Sequence, residues 1–294
     1  MSKLFDHDTI IEMLGNPTDI SCIERGNKEC FDRLAFELYK ETAFISILVS
    51  NIFKFVEGGI SLERNQAISV GLLVRITKYM GSVLALLVDE VSNHGEVIIT
   101  LNRCIFESAI KLRFFCEKAT SQDYENFIKS SLKSEKEAYE QIEKNIQERG
   151  NELPIEKRMK VSIEKTVRLS GYTMTDLSSI PKFRNYKDIL ISLGMGDFYS
   201  FGQGIPSHSI HGDWVELLLH NLEESGTGFA PKPEHLNPDA RLICPINIVI
   251  LDAIKSYLSK YFASEEIPTL LFDRITDLED RNSKVNAGHE DSLG

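Results

Sequence analysis

The sequence predicts an all-α protein, a helical bundle from which an antiparallel helical hairpin projects. Three observations point there. Apolar residues recur at spacings of three and four along most of the chain, the period of an amphipathic helix. Turn-forming residues cluster at a few points that punctuate these runs, as at Gly15-Asn16-Pro17, Gly58-Gly59 and Gly150-Asn151. No stretch alternates convincingly with a period of two; Val97-Ile98-Ile99-Thr100 reads better as the start of a helix than as a strand.

Composition narrows the class. With 294 residues, 42% hydrophobic and 26% charged, the chain can bury a sizeable core. A formal charge of −11 argues against non-specific binding to a phosphate backbone, though a local basic groove stays open. The 5 cysteines are scattered and odd in number, with no C-x-x-C pair, so free thiols in a reducing, cytoplasmic compartment are expected. Met1–Leu14 lacks a basic stretch followed by an apolar one, so no secretory signal is expected. Ala43–Val56 and Leu242–Ile254 are the most apolar runs. Both are short for a membrane span and are interrupted by Asn51, Lys54, Asn247 and Asp252, so no membrane association is expected.

The elements follow in order. Residues 1–27 form an N-terminal extension with a short helix starting at the cap residue Asp8. The bundle occupies residues 28–263. Its first long helix runs from Lys28 to Glu57 with the stripe Leu34, Leu38, Phe44, Leu48, Ile52 and Phe55. A second follows the cap Ser61 and carries Leu73, Ile76, Met80, Leu84 and Val88; Gly71 and Gly81 within it suggest close helix approach. A third, Glu96–Ala119, is apolar nearly all round and should be central. Residues 121–170 are charged with a thin apolar stripe. They form the hairpin arm, with Ile142 and Ile146 expected to meet Ile155 and Met159; the alternative is that both helices lie flat on the bundle. A short helix ends at Gly194, another begins at Asp213 and runs through Leu222, and a Gly/Pro-rich loop, Ser225–Asp239, precedes a core helix at Arg241–Phe262 with Pro245 in its first turn. Residues 264–294 read as an acidic C-terminal tail, disordered from Asn282 onward.

Two places carry chemistry. His208, His211 and His220 fall close together, with Asp213 and the only tryptophan, Trp214, among them. Imidazoles and a carboxylate beside a helix start could bind an anion or exchange protons near neutral pH. The plainer reading makes Asp213 a cap, His211 a turn residue and Trp214 a core anchor. A metal reading would use His208, His211, Asp213 and His220, but no zinc-protease pattern supports it. On the central helix Arg103, Glu107 and Lys111 stand four apart on one stripe, either as a self-satisfied ladder or as the wall of a polar pocket facing His211 and floored by Trp214. No cofactor is expected. Gly202-Gln203-Gly204 lacks the third glycine and preceding strand of a dinucleotide fingerprint, and Gly204-Ile205-Pro206-Ser207 departs from a nucleophile elbow.

Leu101-Asn102-Arg103-Cys104-Ile105-Phe106-Glu107 and Ser207-His208-Ser209-Ile210-His211-Gly212-Asp213-Trp214, followed by His220, resemble an uncharacterised family of helical bacterial proteins with an Arg-x-x-x-Glu helix and a Ser-x-x-x-His-Gly segment. The chain is also similar to the broader HEPN superfamily of helical bundles. That likeness implies a ribonuclease or RNA-binding component of a phage-defence or toxin-type system, or a non-catalytic binding module. It implies His211 as general acid or base with Arg103 and Glu107 beside it, Lys111, Ser207, His208, Asp213, Trp214 and His220 as substrate contacts, and RNA, a nucleotide, a second copy or another protein as partner. HEPN nucleases place an arginine a few residues before the histidine on one helix. Here Ser207 stands in that neighbourhood, and Arg184 is the nearest arginine upstream.

Overall fold

A computed structural model describes residues 7–23, 28–52, 61–88, 94–200, 202, 205–211, 213–234, 236–262 and 266–293. The described chain is mostly helical, with one two-stranded hairpin, and it divides into two compact units, Met1–Lys118 with Leu190–Gly294, and Ala119–Ile189.

The first unit is built around α4 (Gly95–Glu117) and α11 (Ala240–Phe262), which pack on each other. Around them stand α2 (Lys28–Asn51), α3 (Arg64–Leu87) and α12 (Glu266–Ser292), with α1 (His7–Leu14) against α12. As its near-continuous apolar circumference predicts, α4 is central: Ile98, Ile105, Ile110 and Phe115 are fully buried and Phe106 nearly so. Gly95 opens α4 where the chain returns against Leu236, whose carbonyl accepts the Gly95 N–H; a Cβ at Gly95 would collide with it. Asp239 closes the other approach. Its carboxylate accepts the Arg241 N–H at 3.0 Å at the start of α11 and takes the Arg241 guanidinium at 2.6 Å. By length and composition α3 and α11 are each apolar enough to cross a membrane. The run Leu242–Ile254 is short by itself, but its helix continues through the fully buried Tyr257 and Leu258 to Phe262.

Several expectations change. Phe44 turns outward, while Thr42 and Ser46 take buried places on α2. Their hydroxyls are satisfied locally, Thr42 donating to the Leu38 carbonyl at 2.8 Å and Ser46 meeting Thr77 of α3 at 2.7 Å, so small polar residues fit where the helices approach. Ser61 is not the cap of α3; Glu63 holds that position without a side-chain bond. Gly71 and Gly81 face open space rather than a neighbouring helix. The expected end of the first long helix at Gly58-Gly59, and Phe55 before it, lie outside the described residues.

The largest change is at the C-terminus. In place of a tail, α12 buries Leu271, Ile275, Leu278 and Val285 completely. Two polar residues, Asn282 and His289, continue the same stripe and are also fully buried, which is why the composition reads as tail-like. Asn282 accepts from Asn247 of α11 at 2.8 Å and donates to the Leu278 carbonyl at 2.8 Å. His289 meets the Phe31 ring edge-on, and a Cβ on Gly288 would come within 2.8 Å of that ring. Arg281 grips Glu41 of α2 with two bonds of 2.7 Å, and Arg274 takes the same carboxylate at 2.7 Å.

The second unit contains α5 (Ser121–Ser131), α6 (Lys133–Arg149) and α7 (Pro154–Leu169). The expected single helix breaks at Leu132 into α5 and α6, and a capping box between Thr120 and Asp123 starts α5. Helices α6 and α7 pair antiparallel, Tyr139 with Glu164 at 2.9 Å and Lys160 with Glu143. Gly150, with φ +80°, makes the turn. Ile142, Ile163 and Val167 are buried, while Ile155 and Met159, expected to meet Ile142 and Ile146, are exposed. Farther along, Arg184 bonds Asp123 at 2.7 Å and Phe183 packs edge-on against Phe127. Next comes α8 (Tyr186–Ser192), ended as expected near Gly194.

Candidate functional site

Helix α9 (Ile205–His211) packs on α4, so the two sequence segments that carry candidate chemistry are neighbours as elements. Beyond it come α10 (Trp214–Glu216), a π-helical turn at Leu217–Asn221, and a hairpin of β1 (Leu222–Ser225) and β2 (Gly228–Pro231). The helix expected to run through Leu222 therefore ends sooner. Gly226, with φ +61°, permits the tight turn, and the hairpin is largely exposed, so no alternating burial pattern announces it in the sequence.

The side chains of the histidine segment form two small networks. His208 Nδ1 lies 2.6 Å from Asp213 Oδ2, and that imidazole holds the Asp213 carboxyl below its usual range. Asp213 is also the helix cap expected from the sequence, accepting from the N–H groups of Val215 and Glu216 at 3.1 and 3.3 Å. Glu216, buried among exposed apolar neighbours, accepts from Ser209 Oγ at 2.9 Å and lies 3.9 Å from His220 Nε2. Ser209 and Glu216 escaped the sequence reading. The signal was present in the four-residue spacing from Glu216 to His220, but an acid inside Trp-Val-Glu-Leu-Leu-Leu reads as an interruption rather than as the buried residue. His211 is exposed and bonds to no described residue, and Ser207 is half-buried. Trp214 is 56% exposed and packs edge-on against Phe229, rather than anchoring the core. Among the described residues no three His, Cys, Asp or Glu side chains are grouped to hold a metal.

On α4 the charged stripe divides. Lys111 and Glu107 pair at 2.6 Å, whereas Arg103 joins no described residue by ion pair or hydrogen bond, and its Nε is buried without an acceptor. No hydrogen bond or ion pair links Arg103, Glu107 or Lys111 to the histidine segment among the described residues.

Arg103 instead lines a cleft of about 500 Å³, a volume suited to a small organic molecule. Two helix faces form its walls, Ile99, Asn102, Arg103 and Phe106 on α4, and Arg241 through Asp252 on α11. Met195, Phe198 and Gly202 cover it. Gly202 has a steric reason to be glycine, because a Cβ there would overlap the Phe106 ring. Asn102 ties the walls together, its Nδ2 donating to the Leu242 carbonyl at 2.8 Å, while its Oδ1 is buried without a donor. The surface is mostly apolar. Of its charged residues, Arg241 is held by Asp239, and Asp252 is met by Arg113 at 3.3 Å and Lys255 at 3.6 Å. The sequence pointed to Arg103 but not to the cleft, whose lining is drawn from segments far apart in the chain.

No match to this chain exists among the curated proteins or the solved structures. A family model described as a family of unknown function, DUF5677, matches residues 66–229, which include Arg103, Gly202 and the whole histidine segment. The chain belongs to the DUF5677 family.

Proposed function

We propose that this protein is a HEPN-like, cytoplasmic ligand-sensing module whose binding site is the cleft between α4 and α11. One observation carries the reading: a mostly apolar cleft of about 500 Å³ has on its wall an arginine that the described protein leaves without a counter-ion. A partly buried charge without a partner is unfavourable for folding alone, so its place is better explained by a ligand that completes it. The exposed apolar residues Leu153, Ile155 and Met159 at the hairpin tip support self-association as the response to binding. The test uses 1-aminoanthracene, a neutral fluorescent probe. It should bind the wild-type chain with a blue shift and fail to bind Val249→Trp, which fills the cleft. Equal binding to both proteins would refute the cleft as the site.

A second reading has its own observation. The His208–Asp213 pair is an imidazole oriented by a carboxylate through Nδ1, which leaves Nε2 to act as a base. Metal-independent RNA cleavage in a phage-defence or toxin-type system would use that pair, with His208 rather than His211 as the base. Loss of RNA cleavage in His208→Asn but not in His211→Asn would favour this reading. No cleavage by the wild-type chain would end it.

A further inference from the structure

We infer that the ligand of the cleft is a monoanionic amphiphile, with a carboxylate or phosphodiester head at Arg103 and an apolar body between α4 and α11. The inference rests on the cleft being the binding site and adds the chemistry of what fills it.

Charge selects the head. Three charged side chains line the cleft, and two are already compensated: Arg241 by Asp239 at 2.6 Å, and Asp252 by Arg113 and Lys255. Arg103 has no such partner among the described residues. A cationic ligand would place a second positive charge near Arg103 and meet an aspartate that two cations already serve. A neutral ligand would leave the guanidinium uncompensated. An anion both fills the cleft and pairs the arginine, in surroundings where low polarity strengthens the attraction.

The lining selects the body. Phe106, Phe198, Pro245, Ile246 and Val249 are apolar, and the paired charges lie towards the ends of the α11 wall. At about 1.5 Å per residue the face from Arg241 to Asp252 runs about 16 Å, so a chain or an extended flat ring system fits better than a compact polar metabolite. A doubly charged head would leave one charge without a partner, which is why a single charge is favoured.

Calorimetric titration of the full chain with decanoate, decyl methyl phosphate (a singly charged diester), 1-decanol and decylamine tests this. Decanoate or decyl methyl phosphate should bind at least about ten-fold more tightly than 1-decanol, the scale of one charge-assisted hydrogen bond, and decylamine should bind most weakly. Which anion binds better distinguishes a carboxylate source from a phosphodiester source. Arg103→Gln should keep the affinity for 1-decanol and lose the preference for anions, while Arg103→Lys should retain part of it. Retained 1-decanol binding shows that the variant's cleft is intact. Should the alcohol bind the wild-type chain as tightly as the anions, or should Arg103→Gln keep the gap, the ligand class is refuted while the cleft stands. If none of the four probes binds, the cleft reading falls as well.

Discussion

Arg281 and Arg103 both sit on bundle helices, yet the protein treats them in opposite ways. Arg281 is 5% exposed and almost every direction of its guanidinium is used: two bonds to Glu41, one to Asp277 at 2.9 Å and a longer one to the Thr18 carbonyl. It joins α12, α2 and the N-terminal segment, and Arg274 reinforces the same carboxylate. Arg103 is half-buried beside a cleft and joined to nothing described. A buried charge that is paired on every side holds a fold together. A charge left unpaired at a cavity wall contributes little to folding, and its use must be sought elsewhere.

The sharpest way to break this contrast is to remove the C-terminal end of α12 that follows Arg281. A chain ending at Arg281 loses the buried Asn282, Val285 and His289 and leaves Asn247 without its partner. It should lose more than about 4 kcal/mol in urea denaturation, or fail to fold. An unchanged midpoint would show that the sequence-based expectation of a tail was sound.

A smaller effect separates the two arginines directly. Arg281→Met removes the two-bond partner of Glu41, leaving Arg274 as its one guanidinium, and should cost about 3 kcal/mol, the low end for breaking a buried pair. Arg103→Met removes a charge with no partner among the described residues and should change stability by less than about 1 kcal/mol in either direction. Equal losses in thermal unfolding would erase the distinction.

The smallest effect is in acid. Burial alone raises the Glu41 carboxyl, but the bonds and charge of Arg281, with Arg274 behind it, outweigh this and hold the carboxyl below its ordinary 4.5. A depressed carboxylate contributes its full stabilisation above the unfolded value and loses it as pH falls through the folded one. The melting temperature of the wild-type chain should therefore fall below pH 4.5. Glu41→Gln should start lower at neutral pH and fall less steeply, and parallel profiles would count against this role.

Much of the fold was legible because burial follows helical period. The central place of α4, the core helix α11 and the antiparallel α6–α7 pair all follow from where apolar residues recur. The failures have physical causes. In α12 the inward stripe includes Asn282 and His289, so the count of apolar residues understates what is buried. In α10 and the turn after it the pattern inverts, with Glu216 inside and Trp214 and Leu219 outside, because Ser209 and the cap geometry of Asp213 give the acid a satisfied place. At the site, the sequence singled out Arg103 and the histidine segment and brought α4 and the later segment together. Of the ladder Arg103–Glu107–Lys111 the rung between Glu107 and Lys111 forms, and which residues four apart bond to each other depends on what else each can reach.

By itself the sequence determined the helical class, the central helix and the charged stripe Arg103, Glu107 and Lys111 on it, because these depend on local period and on the cost of burying charge. Only the tertiary structure decided that Glu107 goes to Lys111, that His208 goes to Asp213, and that Arg103 is left facing a cleft. A cleft is made by surfaces that meet across the fold, here α4, the Met195–Gly202 stretch and α11, and no local pattern records where distant surfaces fail to touch.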